Sequence, residues 1–288
     1  MTAGRLTFGY VTNGLINHRL DEAIGLLAEN GYDGIALTLD FMHLDPFAAE
    51  WRPAASALRK RLAESGLACV VETGSRFVLD PRRKHFPTLL HGGTNGARRL
   101  SFLRRAIEIA VVLEAPVVST WSGALPEDVP PDVARNRLVE ALGPLAELAE
   151  RSGTKIGFEP EPGMFVESIR DLEMLRADLG NPSGLGTTLD IGHCICLEPE
   201  PVDACIRRVA ETGNLVHVHI EDMRRNVHEH LMFGEGELDL PLALSTLAET
   251  GYDGMVAVEL SRDAHRAHEV VPGAIRALRA AETGGEGE

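Results

Sequence analysis

The run LVHVHI at residues 215–220 alternates aliphatic side chains with two histidines and is typical of a β-strand. Successive side chains of a strand point to opposite faces, so His217 and His219 are predicted to share one face. The other face would carry the aliphatic side chains of Val216, Val218 and Ile220. Because the aliphatic face is suited to packing against helices, we expect the two histidines to face the interior of a barrel.

Seven further runs rich in β-branched residues alternate with longer amphipathic stretches along the chain. The eight predicted strands are TFGYV (7–11), GIALTL (34–39), ACVVET (68–73), PVVST (116–120), KIGFE (155–159), GLGTTLD (184–190), LVHVHI (215–220) and MVAVEL (255–260). Strands that alternate with helices indicate a parallel sheet with crossover connections. The pattern therefore predicts an α/β protein, a single-domain (β/α)8 TIM barrel over residues 1–280, with a flexible tail at 281–288.

Composition excludes several classes of protein. The 288 residues carry a net charge of -15, which disfavours nucleic acid as a partner because binding to phosphodiester backbones needs clustered Lys and Arg. The sequence has no run of ~20 apolar residues, as a membrane span would need, and no secretory signal at its start. A cytoplasmic location is expected. The four cysteines show no CxxC spacing and are predicted to be buried free thiols: Cys69, Cys194, Cys196 and Cys205.

Four predicted strands each end in a side chain that can bind a metal ion. These are Glu159 after KIGF, Asp190 after LGTTL, His219 in LVHVHI and Glu259 after MVAV. The C-terminal ends of parallel barrel strands meet on one face, so the four side chains are expected to converge. Buried carboxylates repel one another, and a divalent cation, Mn, Mg, Co or Zn, would compensate their charge. The alternative is pairing with basic side chains, although few lie on these strands.

Other polar or aromatic residues fall near the same predicted face. His193 follows Asp190 by three residues and could reach a substrate hydroxyl, and His230 lies in the sequence HEH before a Gly-rich turn. Glu72 and Trp121 stand at the ends of two other predicted strands. All four are candidate substrate-binding residues. The alternatives are a solvated loop for His230 and core packing for Trp121.

The motifs around these residues resemble a known superfamily. They are FEPEPG, TLDIGH, HVHIEDMRR, HEHLMFGEGELDL and GYDGMVAVEL, and they span residues 155–262. The set resembles the xylose-isomerase-like TIM-barrel superfamily, which contains sugar-phosphate isomerases, ketose 3-epimerases, inosose dehydratases and endonuclease IV. The resemblance implies one divalent ion held by the residues at the four strand ends. It also implies a metal-dependent isomerase or epimerase of a small sugar, sugar phosphate or cyclitol. A homo-oligomer is a separate expectation.

The same resemblance implies roles for individual residues. Glu159 and Glu259 would act as acid and base on opposite faces of the substrate, through a metal-stabilised enediolate. His193 and Arg225 would contact sugar oxygens, since Arg225 follows His219 by six residues as in the epimerases.

Three other functions remain open. A keto-cyclitol dehydratase or lyase would use the same residues, and a non-catalytic sugar-binding barrel would keep only the scaffold. An endonuclease IV-like phosphodiesterase is disfavoured, because Glu72 and Trp121 stand where further zinc-binding histidines would be expected.

The segment from Arg76 to Arg99 carries six basic residues against one acid, Asp80. It follows a predicted strand, and its length and glycine content are typical of a lid. We hypothesise that Arg82, Arg83 or Lys84 binds a phosphate or carboxylate of the substrate. The alternative is a solvated basic loop or a contact between subunits.

Overall fold

The computed structural model describes residues 5–284 and is a closed barrel of eight parallel strands surrounded by helices. The barrel strands are β1 (Thr7–Val11), β2 (Gly34–Thr38), β3 (Ala68–Glu72), β4 (Val117–Trp121), β5 (Lys155–Glu159), β6 (Leu185–Asp190), β7 (Leu215–Ile220) and β10 (Met255–Val258). Each barrel strand pairs with the next barrel strand along the chain, and β10 pairs with β1 to close the ring. The predicted TIM barrel is confirmed, with every predicted strand in its expected place.

The helices follow the strands in the order expected of a βα repeat. They are α1 (Leu20–Glu29), α2 (Trp51–Glu64), α3 (Gly93–Leu113), α4 (Pro131–Arg151), α5 (Ile169–Asp178), α6 (Ile191–Leu197), α7 (Val202–Glu211), α8 (Leu240–Glu249) and α9 (Ala267–Gly284), with short 3-10 turns at Thr12–Leu15 and Ala264–Arg266. Their apolar faces pack on the outer side of the barrel, where Phe8, Phe102 and Phe158 are fully buried. None of the helices in residues 5–284 is both long and apolar enough to cross a membrane.

The prediction that the aliphatic side chains of β7 face the surrounding helices is correct for Val218 and Ile220 but wrong for Val216. Thr187 pairs with Leu215 and Thr188 pairs with His217, so Val216 is the extra residue of a β-bulge. The bulge turns Val216 into the barrel, where it packs against the interior aliphatic cluster of Val11, Ala36, Val70, Val117, Met255 and Ala257. Period two therefore fails at this one residue, whereas His217 and His219 keep their inward direction.

An antiparallel hairpin that the sequence analysis did not predict follows β7. Its strands are β8 (Asp222–Arg224) and β9 (Val227–Leu231). The buried carboxylate of Asp222 anchors the loop after the hairpin by accepting hydrogen bonds from the backbone N–H groups of Gly234 at 2.8 Å and Leu238 at 2.9 Å. The hairpin thus stands on the C-terminal face of the barrel, directly after a strand that carries a candidate metal ligand.

The last helix extends four residues past the predicted end of the domain at residue 280. Glu282 accepts a hydrogen bond from the backbone N–H of Leu6 at 2.8 Å and another from Arg279 at 3.1 Å, which ties this turn to the start of β1. Residues 281–284 therefore belong to the helix, and the flexible tail stays a prediction. Residues 285–288 lie outside the described part of the chain. All four cysteines are buried free thiols, as predicted.

Candidate functional site

The structure brings together the four side chains that were predicted as metal ligands. Glu159 ends β5, Asp190 ends β6, His219 lies next to the end of β7, and Glu259 directly follows β10. One ligand atom of each lies within 4.8 Å of those of the others. His219 Nδ1 is 3.3 Å from Glu159 Oε1 and 3.0 Å from Glu259 Oε2. The convergence follows from parallel strands whose C-terminal ends meet at one rim.

Three carboxylates surround a single imidazole here, and their electrostatics are strongly perturbed. Burial raises the pKa of Glu159 to about 7, with the charges of Glu259 and Asp190 adding to the rise and His219 opposing it. Burial also disfavours the charged form of Glu259, but the cationic form of His219 outweighs it and lowers the pKa of that carboxyl. The pKa of His219 is raised well above its usual value, because the surrounding carboxylates outweigh its burial. Negative charge therefore exceeds the positive charge available from the protein.

The donor set fits a divalent cation. Asp190 is buried, its Oδ1 accepts from the backbone N–H of His193 at 2.9 Å, and its Oδ2 has no hydrogen-bond partner among the described residues. An orphaned carboxylate oxygen that faces two other carboxylates is costly unless a cation lies between them. Three carboxylates and one imidazole are the hard and borderline ligands that Mn, Mg, Co and Zn accept.

Glu72 orients the candidate ligand histidine. It ends β3, and its Oε1 lies 3.1 Å from Nε2 of His219 and 3.0 Å from Nε2 of His217. Burial opposes ionisation of Glu72, but His219 and His217 outweigh it and lower its pKa to about 2. When Nε2–H of neutral His219 donates a hydrogen bond to Glu72, Nδ1 carries the lone pair, which faces Glu159 and Glu259. This is the carboxylate–histidine arrangement that fixes the tautomer at many metal sites.

A cavity of about 320 Å³ opens above these residues at the C-terminal face of the barrel. Its wall includes Glu159, His219 and Glu259, together with four of the predicted substrate-binding residues: Glu72, Trp121, His193 and His230. A larger cavity of about 970 Å³ lies at the opposite end of the barrel, among the first residues of the strands. Parallel barrels carry their chemistry at the C-terminal face, and the candidate ligands converge only at the smaller cavity.

The hairpin delivers two histidines to the cavity wall, where they meet His193. Nε2 of His193 lies 3.1 Å from Nε2 of His228, and the pKa of His193 is lowered to about 4 by its burial. Nδ1 of His230 lies 3.5 Å from Glu221 Oε1. Burial alone would lower the pKa of His230, but the charge of Glu221 raises it to about 10. The wall therefore presents the neutral imidazole of His193 and the cationic imidazole of His230 within reach of a bound molecule.

Arg225 lies outside the cavity, contrary to the predicted contact with sugar oxygens. Its guanidinium donates to the carbonyl of Ile195 at 3.2 Å and to that of Glu198, and its backbone N–H donates to Glu237 at 3.1 Å. The reason is the hairpin, because Arg225 occupies the turn between β8 and β9, where the side chain points away from the barrel mouth. The residues that return to the cavity are His228 and His230 on β9.

Several residues at the site were not predicted as functional. Asn13 donates from Nδ2 to Glu259 Oε1 at 2.6 Å, and Glu161 lines the cavity two residues after Glu159. Burial and the neighbouring Glu159 raise the pKa of Glu161 well above its usual value. Glu221 is fully buried beneath His230. The available signals were the second Glu of FEPEP and the period-two spacing of His228 and His230, which places both on one face of a strand.

The basic segment divides into two parts in the structure. Residues 76–92 form an irregular loop and Arg99 belongs to α3, where it is buried against the ring of Trp121. Arg83 pairs with Asp80 at 2.7 Å and stacks on Phe86, and neither Arg82 nor Arg83 lines the cavity. Among the three basic residues of the hypothesis, Lys84 alone reaches the cavity wall.

Comparison with known sequences finds a family match over most of the chain. The sequence model of the xylose isomerase-like TIM barrel family matches residues 24–281. An uncharacterized protein of Methanocaldococcus jannaschii is 33% identical over 181 residues. The matched region covers 59% of this chain and 59% of the length of that protein. The L-ribulose-5-phosphate 3-epimerase UlaE of Shigella flexneri serotype 5b is 25% identical over 242 residues, covering 83% of this chain and 81% of the enzyme.

Solved structures of similar fold cover nearly the whole chain. An L-ribulose 3-epimerase structure has a TM-score of 0.76 at 19% identity and covers 98% of this chain and 97% of its own. The IolI protein, solved with a bound zinc atom, has a TM-score of 0.71 at 17% identity and covers 96% of both chains. At these identities the likeness concerns the fold alone.

Proposed function

Because the chain belongs to the xylose isomerase-like TIM barrel family, we propose that it is a divalent-metal-dependent isomerase or epimerase of carbohydrate metabolism. Its substrate would be a small sugar, sugar phosphate or cyclitol. The observation that carries the proposal is the placement of Glu159 and Glu259, which approach His219 Nδ1 from β5 and β10 at 3.3 and 3.0 Å. Two strands separate β5 from β10 in the barrel, so the carboxylates approach the site from different sides.

Glu159, Asp190, His219 and Glu259 are the residues that would hold the metal ion. When bound, the ion would supply positive charge that stabilises negative charge developing on the oxygens of the substrate. Nothing in the donor set selects among Mn, Mg, Co and Zn, which all accept mixed carboxylate and imidazole ligands.

The protein's own contribution is proton transfer between two carboxylates and a carbon next to a carbonyl group. One glutamate removes the proton, and the other returns a proton to the opposite face of the carbon or to its neighbour. Asn13 holds Glu259 through the hydrogen bond to Oε1, which leaves Oε2 directed toward the centre of the site. The walls of Trp121 and His193 would hold the sugar between the two carboxylates while excluding water.

The sequence relationship to L-ribulose-5-phosphate 3-epimerase supports epimerisation as the reaction. The sugar and the position of the reacting carbon are what the exchange experiment below would assign for this chain. The predicted cytoplasmic location and the possible homo-oligomer also stay predictions.

Solvent deuterium exchange tests the proposal. Metal-loaded protein is incubated in deuterated water with ketoses, ketose phosphates and inososes, and the products are analysed by NMR and mass spectrometry. Deuterium at the carbon next to the carbonyl, without loss of water, is expected for an epimerase or isomerase, whereas a dehydrated product would indicate a lyase.

Matched variants connect the exchange to the site. Glu159→Gln and Glu259→Gln should each reduce deuterium incorporation by about 10²- to 10⁴-fold, the usual contribution of a general acid or base. Glu114→Gln is the control, since this exposed glutamate pairs with Arg59 on the surface. Equal exchange in Glu259→Gln and the wild-type protein would contradict the proposed chemistry and favour a sugar-binding barrel.

A further inference from the structure

One wall of the cavity is basic, although the chain is strongly acidic overall. Arg76 and Lys84 from the loop after β3, and Arg262 from the segment after β10, line the same cavity as the candidate metal ligands. The net charge of the chain is -15, so three cationic side chains at one rim depart from the average surface. Charged groups clustered at a cleft act on the ligand rather than on the fold.

Arg76 is held in place by a hydrogen bond to a backbone carbonyl. Arg76 is half-buried and donates from Nη2 to the carbonyl of Ser261 at 2.9 Å, which connects the loop after β3 to the segment after β10. Nε and Nη1 of Arg76 make no hydrogen bond to another described residue, and Arg76 forms no ion pair within 4.0 Å in residues 5–284. The guanidinium is therefore oriented while its charge is left uncompensated.

Lys84 adds a second uncompensated charge. Its ammonium forms no ion pair with any residue that the structure describes, and the side chain is exposed at the cavity rim. Arg262 differs because its Nη1 lies 3.2 Å from Glu229 Oε1, which neutralises part of its charge. Arg76 and Lys84 are thus the two free cations of the described part of this wall.

A neighbouring histidine reports the same positive field. His85 lines the cavity beside Lys84, and its pKa is lowered to about 4, first by burial and then by the charges of Lys84, Arg99 and Arg76. The neutral His85 is consistent with a concentration of positive charge at this position.

We propose that Arg76 and Lys84 form an anion-binding site at the mouth of the cavity and that it takes a phosphate or carboxylate group carried by the substrate. This proposal rests on the proposed function, which places the remainder of the substrate at the candidate metal ligands. The carboxylate-rich end of the cavity would take the carbonyl end of a sugar, and the basic wall would take the anionic end. Arg76 offers two donors of a planar fork and Lys84 a mobile ammonium, a combination suited to tetrahedral or planar oxyanions.

Binding of inorganic phosphate to metal-free protein tests the site without any turnover. Calorimetric titration of the wild-type protein is compared with Arg76→Gln, Lys84→Gln and the matched control Arg82→Gln, an exposed arginine of the same loop that does not line the cavity. Each of the first two changes should weaken phosphate binding by about tenfold or more, the effect of one charged hydrogen bond, and the control should bind as the wild type does. Thermal unfolding of each variant checks that the Arg76 change has not released the loop.

Unchanged phosphate affinity in both Arg76→Gln and Lys84→Gln, or no binding to the wild type, would overturn the proposal. A parallel titration with acetate separates the two anions: stronger binding of phosphate assigns a sugar phosphate, and stronger binding of acetate assigns a sugar acid. With metal-loaded protein, Arg76→Gln should raise KM for the anionic sugar more than it raises KM for its neutral counterpart.

The two proposals fail separately. Efficient deuterium exchange into sugars, with phosphate affinity unchanged in Arg76→Gln and Lys84→Gln, would refute the anion site and leave the epimerase function standing. Phosphate binding that depends on Arg76 and Lys84, with no exchange into any sugar, would do the reverse.

Discussion

Glu72 provides a quantitative test of the candidate metal centre, because it would act on the ion only through His219. Its Oε1 lies 3.1 Å from Nε2 of His219, on the side of the ring opposite the candidate ligand atom Nδ1. Glu72→Gln keeps the shape of the side chain and a hydrogen-bond acceptor. It removes the negative charge that makes Nδ1 of His219 a stronger ligand for a metal ion. Glu72→Ala removes the acceptor as well.

Loss of such a carboxylate partner costs about 10- to 100-fold in metal affinity. At about 1.4 kcal/mol for each factor of ten, the change corresponds to about 1.4 to 2.8 kcal/mol. We expect Glu72→Gln near the lower figure and Glu72→Ala near the upper one. Glu159→Gln, which would remove a ligand itself, should weaken binding further than either.

The assay is competition between metal-free protein and a chromophoric chelator for Mn or Zn, read without substrate. Glu114→Gln on the surface serves as the control, and unfolding of the metal-free proteins shows whether each variant is folded. Wild-type affinity in folded Glu72→Ala, together with reduced affinity in Glu159→Gln, would refute the argument that Glu72 orients His219.

Further predictions concern packing, pH and the hairpin. Gly186→Ala would place a Cβ 2.4 Å from Val216 Cγ1 and should lower the free energy of unfolding by roughly 1–3 kcal/mol in denaturant titrations. Gly25→Ala, on the open surface of a helix, should raise the free energy of unfolding by about 0.4–1 kcal/mol. Equal effects of the two changes would contradict the packing described for the bulge. The pKa of His85 is about 4 when folded and higher when unfolded, so the unfolded chain binds more protons between these values and stability should fall as the pH drops from about 6.5. Denaturant titrations at several pH values should show a weaker fall in His85→Gln, and an identical slope would reject this explanation. Arg225→Ala should leave KM for the substrate unchanged in steady-state kinetics. A large rise in KM would show that Arg225 contacts the substrate.

The barrel itself could be predicted from the sequence because each level of the pattern agreed. Short β-branched runs, intervening amphipathic stretches and eight repeats all indicate the same fold. The site at the strand ends followed from the same geometry, since a residue such as Glu159 or Asp190 at the end of a parallel strand has one rim to which it can point.

Two departures of the structure from the sequence analysis have local physical causes. Val216 was assigned to the outer face because period two assumes regular pairing, and a bulge inserts one residue without a clear signal in sequence. Arg225 was assigned to the substrate by its spacing from His219, but spacing along the chain does not fix direction once a hairpin intervenes.

Other features depend on contacts that no single sequence reveals. That Glu72 meets His219 rather than a sugar requires β3 and β7 to face each other across the barrel. Arg76 and Lys84 keep their charges unpaired because Asp80 pairs with Arg83 and Glu229 pairs with Arg262.

The β8–β9 hairpin has a consequence for how this protein could acquire new specificity. The residues that would perform the chemistry are fixed in or beside barrel strands, whose positions are shared with the whole core. His228 and His230, by contrast, stand on an appendage that Asp222 and Arg225 fasten through hydrogen bonds to the following loop and to the carbonyls of Ile195 and Glu198. Replacement of that appendage would change which molecules the cavity accepts while the reactive groups stayed where they are, so that selection can act on recognition and on reactivity independently.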